Sequence, residues 1–199
     1  MNNPLFKHPS FELPLNWMVR NFNTTYLLVG DYLNRWNELI FSESDMSVAA
    51  EKSEQQGLDF CNTLVHQFEC IPPPSQILLW KPLLHWPEFE TCAQEINLAF
   101  KHNSEFRDSL NASAESFIQT QINKGATPIV GYQKAFEYSQ MYLLEELAVF
   151  SLLAKNTINI QIYPGTQLPI LSQISKIDPE HIPKSLLESK FIELRIKKK

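Results

Sequence analysis

The sharpest change of pattern in the chain falls between residues 142 and 164, YLLEELAVFSLLAKNTINIQIYP. Its first half sets Leu143, Leu144, Leu147, Val149, Phe150, Leu152 and Leu153 on a broad apolar surface at helical spacing. Lys155-Asn156-Thr157 interrupts that run. Ile158-Asn159-Ile160-Gln161-Ile162 then alternates apolar and polar positions, the mark of a strand, and Pro164-Gly165 stops it just after Tyr163.

Upstream, residues 11–22 read as an amphipathic helix leading into Thr25-Tyr26-Leu27-Leu28-Val29. A continuous apolar run of that length is expected of a strand buried on both faces of a parallel sheet. Residues 43–68 predict a long, mostly polar helix with Met46, Ala49, Ala50, Leu58, Leu64 and Phe68 as inner positions, and Gly57 as its weak point. Pro72-Pro73-Pro74 is a rigid linker, and residues 76–80 a second short buried strand ending at Trp80. Helices follow over 87–102, from 104 through 118 and over 131–153, broken by Asn103-Ser104 and by Gly125-Ala126-Thr127-Pro128. A linker with Pro164, Pro169, Pro179 and Pro183 leads to a last helix over 184–196. Strands alternating with helices predict an α/β fold with a parallel sheet, and the length predicts a single domain over 1–199.

Composition narrows the partners. A net charge of -5 gives an average field that repels nucleic acid, so DNA is not an expected partner and any RNA contact needs a local basic patch. Arg195-Ile196-Lys197-Lys198-Lys199 is the densest such patch, although a cationic helix end is ordinarily a solvated complement to the helix dipole. Cys61, Cys70 and Cys92 lack metal-ligand spacing and read as reduced thiols. No apolar run approaches the roughly 18 residues of a spanning helix and no signal peptide opens the sequence, so a cytoplasmic protein without a membrane partner is expected. Without GxGxxG, P-loop, zinc spacing or GxSxG, no nucleotide or metal cofactor has a motif to stand on.

Candidate chemistry gathers at the strand ends. Tyr142 and Glu146 are four apart and share one helix face. A half-exposed surface pair has the same spacing. Asp31, Trp80 and Tyr163 stand at or just past the carboxyl ends of strands, the rim where open α/β sheets bind ligands. Asp31 equally suits capping of the helix that follows it. Pattern alone would serve a hydrolase or a plain binding pocket as well.

Tyr-x-x-x-Glu on an apolar helix, followed by a strand ending in Tyr163-Pro164, resembles the tRNA-dependent cyclodipeptide synthases, and within them the branch named for its Tyr-Pro. Trp80, Pro87-Glu88-Phe89, Phe106-Arg107 and the Asp31 and Arg35 after the first apolar strand extend the likeness along most of the chain. The resemblance implies a Rossmann-like parallel sheet with helices on both faces, similar to the catalytic domains of class I tyrosyl- and tryptophanyl-tRNA synthetases. It implies two aminoacyl-tRNAs as substrates, no ATP, metal or other cofactor, and a diketopiperazine made through an aminoacyl-Ser intermediate. Tyr142 and Glu146 would hold the α-ammonium of the first aminoacyl group, and Tyr163 would position it or relay a proton in the cyclisation. Asp31, Trp80 and Pro164 would border the substrate.

Three departures accompany the likeness. The family's Ser lies in a Gly-x-Ser segment closing its first strand, whereas Met1-Asn2-Asn3-Pro4-Leu5-Phe6 resembles the residues just after it. The resemblance thus implies an N-terminal truncation, with that strand and its Ser ahead of Met1, and Ser10 reads as a helix cap. The helix over 43–68 is basic in the family, but here it sets Lys52 and His66 against Glu43, Asp45, Glu51, Glu54 and Asp59, a poor platform for phosphates. Ala148 stands where the family often has Pro. The alternatives are a non-catalytic binder of aminoacyl-tRNA or a small molecule on the same scaffold, and an α/β domain with an unrelated pocket.

Overall fold

The computed structural model describes residues 12–67, 76–164 and 169–194. Ser10, Phe68, Cys70, the linker at 72–74, Gly165 and the basic residues 195–199, whose roles the pattern predicts, lie outside them. The first part of the chain forms α1 (Glu12–Asn21), β1 (Tyr26–Val29), α2 (Arg35–Phe41), α3 (Met46–Gln67), β2 (Gln76–Leu79) and the single turn α4 (Trp80–Leu83). There follow α5 (Phe89–His102), α6 (Ser104–Asn123), α7 (Tyr132–Lys155), β3 (Ile160–Pro164), α8 (Pro169–Gln173), a 3-10 turn (Ile174–Lys176), α9 (Lys184–Glu188) and β4 (Lys190–Leu194). The fold is α/β, rich in helix, with two short parallel sheets, β1 beside β2 and β3 beside β4.

α7 is the spine. Leu143, Leu147, Val149, Phe150, Leu152 and Leu153 are all buried, more than a single 100°-wide stripe accommodates, so this helix is covered on several sides. α5, α6, α2 and α9 pack around it. Ile96 of α5, with Phe106 and Leu110 of α6, is fully buried in the largest cluster, each contributing about 1.5–3 kcal/mol relative to exposure. Asn103 joins α5 to α6: its side chain accepts the Phe106 N–H at 2.9 Å and donates to the carbonyls of Asp178 and Glu180.

The two faces of β1 meet different layers. Leu27 packs with Leu15 and Met18 of α1 and Leu64 of α3, whereas Leu28 packs with the cores around α7. Yet β1 is not buried along its length. Tyr26, Leu27 and Leu28 are half-buried and only Val29 is enclosed.

Several elements depart from the pattern. The expected helix over 184–196 stops at Glu188, Ser189 is extended, and Lys190–Leu194 pairs with β3, Lys190 opposite Ile160. Lys-Phe-Ile-Glu-Leu does not alternate strictly, so the strand comes from its pairing with β3, and the Phe191 ring centroid lies 5.7 Å from that of Phe150. Trp80 opens α4 and does not close β2. In β3 the alternation is reversed: Gln161 is buried, whereas Ile160 is 37% exposed. On α3, Met46 and Leu58 are exposed, and the inner line is Ala49, Ser53, Gly57 and Leu64. Small residues are needed there because the turn at Asp31 lies against them: a methyl on Gly57 would overlap the Asp31 Cβ and come within 2.9 Å of its Cα.

Candidate functional site

A cleft of about 680 Å³ opens between the two sheets. α7 supplies its floor through Tyr142, Glu146, Phe150 and Leu153, and Pro14 and Met18 of α1, with Phe22 just past its end, cover it. Tyr26, Leu27 and Leu28 of β1 line one flank, and Ile160, Gln161 and Ile162 of β3 the other. Gly30, Leu33, Leu78 and Trp80 close the end reached by β1 and β2.

Tyr142 and Glu146 therefore meet in one cleft, as their spacing on α7 requires. Glu146 is 4% exposed. Burial, then the carboxylates of Glu146 and Glu145, push the Tyr142 phenol well above its ordinary value of 10.0, so it stands as a neutral hydrogen-bond donor and acceptor. Among the described residues that line the cleft there is no Lys or Arg. A buried carboxylate beside a phenol in such surroundings suits a ligand's ammonium group, which both oxygens can accept from.

The other sequence-derived candidates fall differently. Trp80 lines the cleft, but Asp31 is not among its lining residues. The Asp31 carboxylate accepts the Trp80 backbone N–H at 2.6 Å and so caps α4, across the β1–β2 pair from its own strand. α2, the helix just after it, starts instead from Asn34. Desolvation raises the Asp31 pKa above 3.8 although backbone N–H groups around Trp80 and Tyr32 pull the other way. Tyr163 and Pro164 occupy the last two positions of β3, opposite Glu193 and Leu194.

Glu145 carries the densest polar network beside the cleft, and nothing in the sequence pattern singles it out. Its Oε1 accepts from Arg35 Nη1 at 2.9 Å and from Trp80 Nε1 at 2.9 Å. Its Oε2 accepts from Arg35 Nη2 and, at 3.2 Å, from Trp36 Nε1. The Arg35 guanidinium also lies 4.0 Å from the Tyr32 ring centroid and 4.6 Å from that of Trp36. The faint signal is the Glu145-Glu146 doublet: adjacent residues on a helix point about 100° apart, so one carboxylate turns to α2 while the other faces the cleft.

Among the described residues the hydroxyls lining the cleft are those of Thr24, Thr25, Tyr26, Tyr142 and Thr157, with no serine. Cys61 and Cys92 lie elsewhere, and burial raises both thiol pKa values, which disfavours the nucleophilic thiolate. Among the described residues no group of three His, Cys, Asp or Glu side chains is placed to hold a metal ion. No described helix is long and apolar enough to cross a membrane. On the outer surface of α3 and its neighbours the cations are taken up by carboxylates: Lys52 by Glu43 and Glu38, each at 2.9 Å, and Lys81 by Glu54 at 2.8 Å.

No family model and no curated protein matches the chain. Solved structures do. A CDPS from Fluoribacter dumoffii superposes with a TM-score of 0.82 at 15% identity, covering 97% of this chain and 84% of that one. AlbC, a cyclodipeptide synthase from Streptomyces noursei, gives 0.73 at 16%, with 97% and 90% covered. A cyclodipeptide synthase from Candidatus Glomeribacter gigasporarum, bound to Phe-tRNAPhe, gives 0.67 at 18%, with 97% and 82% covered. At these identities the likeness is one of fold, the α/β scaffold shared across nearly the whole described chain.

Proposed function

We propose that this protein is an aminoacyltransferase of the cyclodipeptide synthase kind, of the Tyr-Pro branch, acting in the cytoplasm on two aminoacyl-tRNAs. The observation that carries this reading is the pair Tyr142 and Glu146, one turn apart on α7 and lining a cleft whose described residues include no cationic side chain, on a scaffold shared with those synthases. Glu146 accepts from the α-ammonium of the first aminoacyl group and Tyr142 fixes its orientation. A serine oxygen attacks the ester carbonyl and the tRNA hydroxyl leaves. The α-amine of the serine-bound aminoacyl group then attacks the ester carbonyl of the second aminoacyl-tRNA, whose tRNA hydroxyl leaves. The free amine of the resulting dipeptidyl-serine attacks the serine ester to close the ring, releasing the serine hydroxyl. Glu146 takes up the proton from an attacking amine, and Tyr163 relays one in the closure. In this reading the serine lies on a strand upstream of the described residues, and tRNA meets the protein elsewhere than on α3.

A second reading is a non-catalytic binder of aminoacyl-tRNA or a small molecule. It is favoured by the absence of serine among the described cleft-lining residues and by the ion-paired cations around α3. Mass spectrometry of bacterial cultures separates the two. One culture expresses the 199-residue chain, and the other a form extended upstream to the next in-frame start. Cyclic dipeptides from the extended form alone support the synthase and its upstream serine. Products from the shorter chain place the nucleophile within it. Silence from both favours the binder.

A further inference from the structure

Hydrogen bonds tie the end of α5 and the start of α6 to the segment that runs from Ile177 to Ile182. Asn103, largely buried, donates to the carbonyls of Asp178 and Glu180, each at 2.9 Å. Glu105 accepts the Asp178 N–H at 3.1 Å, and the Asp178 carboxylate accepts that of Glu180 at 2.9 Å. Ile177 and Ile182 are themselves buried in the largest cluster. The two segments are therefore held in a fixed register. Each carries one exposed histidine: His102, the last residue of α5, and His181.

The two rings stand with centroids 5.6 Å apart and planes tilted by 49°. Two imidazoles on one tetrahedral ion, with nitrogens about 2.0–2.1 Å from it, have ring centres roughly 5 Å apart. The observed separation is a small side-chain rotation away from that span. The χ2 torsion of His is broad, so each exposed ring can turn a nitrogen toward the gap. The backbone holds His181 there against its preference, at φ 68°, where glycine is the unstrained residue. Strain of that kind persists where the surroundings over-determine it, and it gathers at ligand clamps. Charge favours a cation: Glu105, Asp178 and Glu180 lie on these segments against Lys101 and Arg107. Glu180 Oε1 is 3.7 Å from His181 Nε2, too long for a hydrogen bond but placed to accept from a water on a metal.

We propose that His102 and His181 form a two-histidine clip for a divalent transition cation, Zn²⁺ or its neighbours Ni²⁺ and Cu²⁺, for which imidazole is a suited ligand. Two ligands are fewer than the group of three that is absent among the described residues, so water fills the remaining positions. The ion fastens the segment leading into α9 onto the end of α5. Neither histidine lines the cleft, and the clip does not depend on the synthase reading.

The test uses the full chain without an affinity tag, titrated with zinc chloride by calorimetry and followed by thermal unfolding. One ion per chain and a rise in Tm with zinc are expected, since an ion that binds only the folded chain stabilises it. His102→Asn and His181→Gly should each weaken zinc binding at least tenfold and abolish the rise. His181→Gly also relieves the positive φ, so its Tm without zinc should equal or exceed that of wild type. A lost zinc response in that variant is then not a failure to fold. His85→Asn, at an exposed histidine outside the pair, is the control and should bind as wild type does. Zinc bound equally by wild type and both pair variants, or lost equally with His85→Asn, would place the ion elsewhere and overturn the proposal. One ion per two chains would mean a bridge between molecules and overturn it too, as would no heat at about millimolar zinc.

Discussion

Arg35 and Glu145 form a two-pronged ion pair that ties α2 to α7, with both side chains largely withdrawn from solvent. The carboxylate is further held by the indole N–H groups of Trp36 and Trp80. Because Trp80 lines the cleft and Glu146 adjoins Glu145, this pair fixes the wall and floor of the site at once. Arg35→Ala leaves a buried carboxylate without its cation, and a loss of about 3–5 kcal/mol is expected in urea unfolding. The double change Arg35→Met with Glu145→Leu should lose less than the single one, since no charge is then stranded.

Adjacent carboxylates should separate stability from chemistry. Glu146→Gln keeps shape and should leave Tm nearly unchanged while lowering cyclic dipeptide formation by about a hundredfold or more. Tyr142→Phe should lower it by about tenfold, the loss of one hydrogen bond to a charged group. Glu145→Gln should do the reverse, lowering Tm more than turnover per folded molecule. Product by mass spectrometry beside thermal unfolding reads both.

Gly57 is required by a neighbour and not by its own backbone. Gly57→Ala pushes a methyl into Asp31, and a loss of about 1–3 kcal/mol is expected from overpacking, despite the better helix propensity of Ala. Gly131, with open space where a Cβ would sit, is the control and should accept Ala with little change in Tm.

Asp31 should make stability fall as pH rises. Its folded pKa lies above 3.8, so between the two values the native state holds more proton than the unfolded chain. Stability therefore declines from pH near 3.8 upward and levels off above the folded pKa. Asp31→Asn keeps an oxygen for the Trp80 N–H but does not titrate, so the difference between wild type and variant should grow more unfavourable to wild type over that window. Urea unfolding at a series of pH values measures it.

Thr157 sits at φ 67°, a left-handed conformation that costs a β-branched residue about 1–2 kcal/mol. It follows the end of α7, where Gly is the favoured residue. Thr157→Gly should raise stability by about 1 kcal/mol in urea unfolding.

What the sequence made legible was whatever depends on local pattern. The apolar run of α7, its turn at Asn156 and the placement of Tyr142 above Glu146 all follow from period and propensity. What it hid depends on distant neighbours. Lys190–Leu194 reads as the continuation of a helix until β3 is available to pair with it. Asp31 looks like a cap for the helix beside it, but the N–H it accepts belongs to Trp80, 49 positions away. Gln161 and Ile160 exchange their expected environments because the cleft, and not the core, lies beside β3. Glu145 is an ordinary surface residue by any one-dimensional rule and acquires its role from Arg35.

The partners in that ion pair stand 110 positions apart in the chain. During translation, β1, α2, β2 and α4 leave the ribosome well before α7 does. At about 5–20 residues per second, Leu28, Leu33, Trp36 and Trp80 wait roughly 5 to 20 seconds for the helix that covers them. Over that interval the nascent chain presents an aromatic, sticky half-layer, the kind of surface that chaperones at the exit tunnel engage.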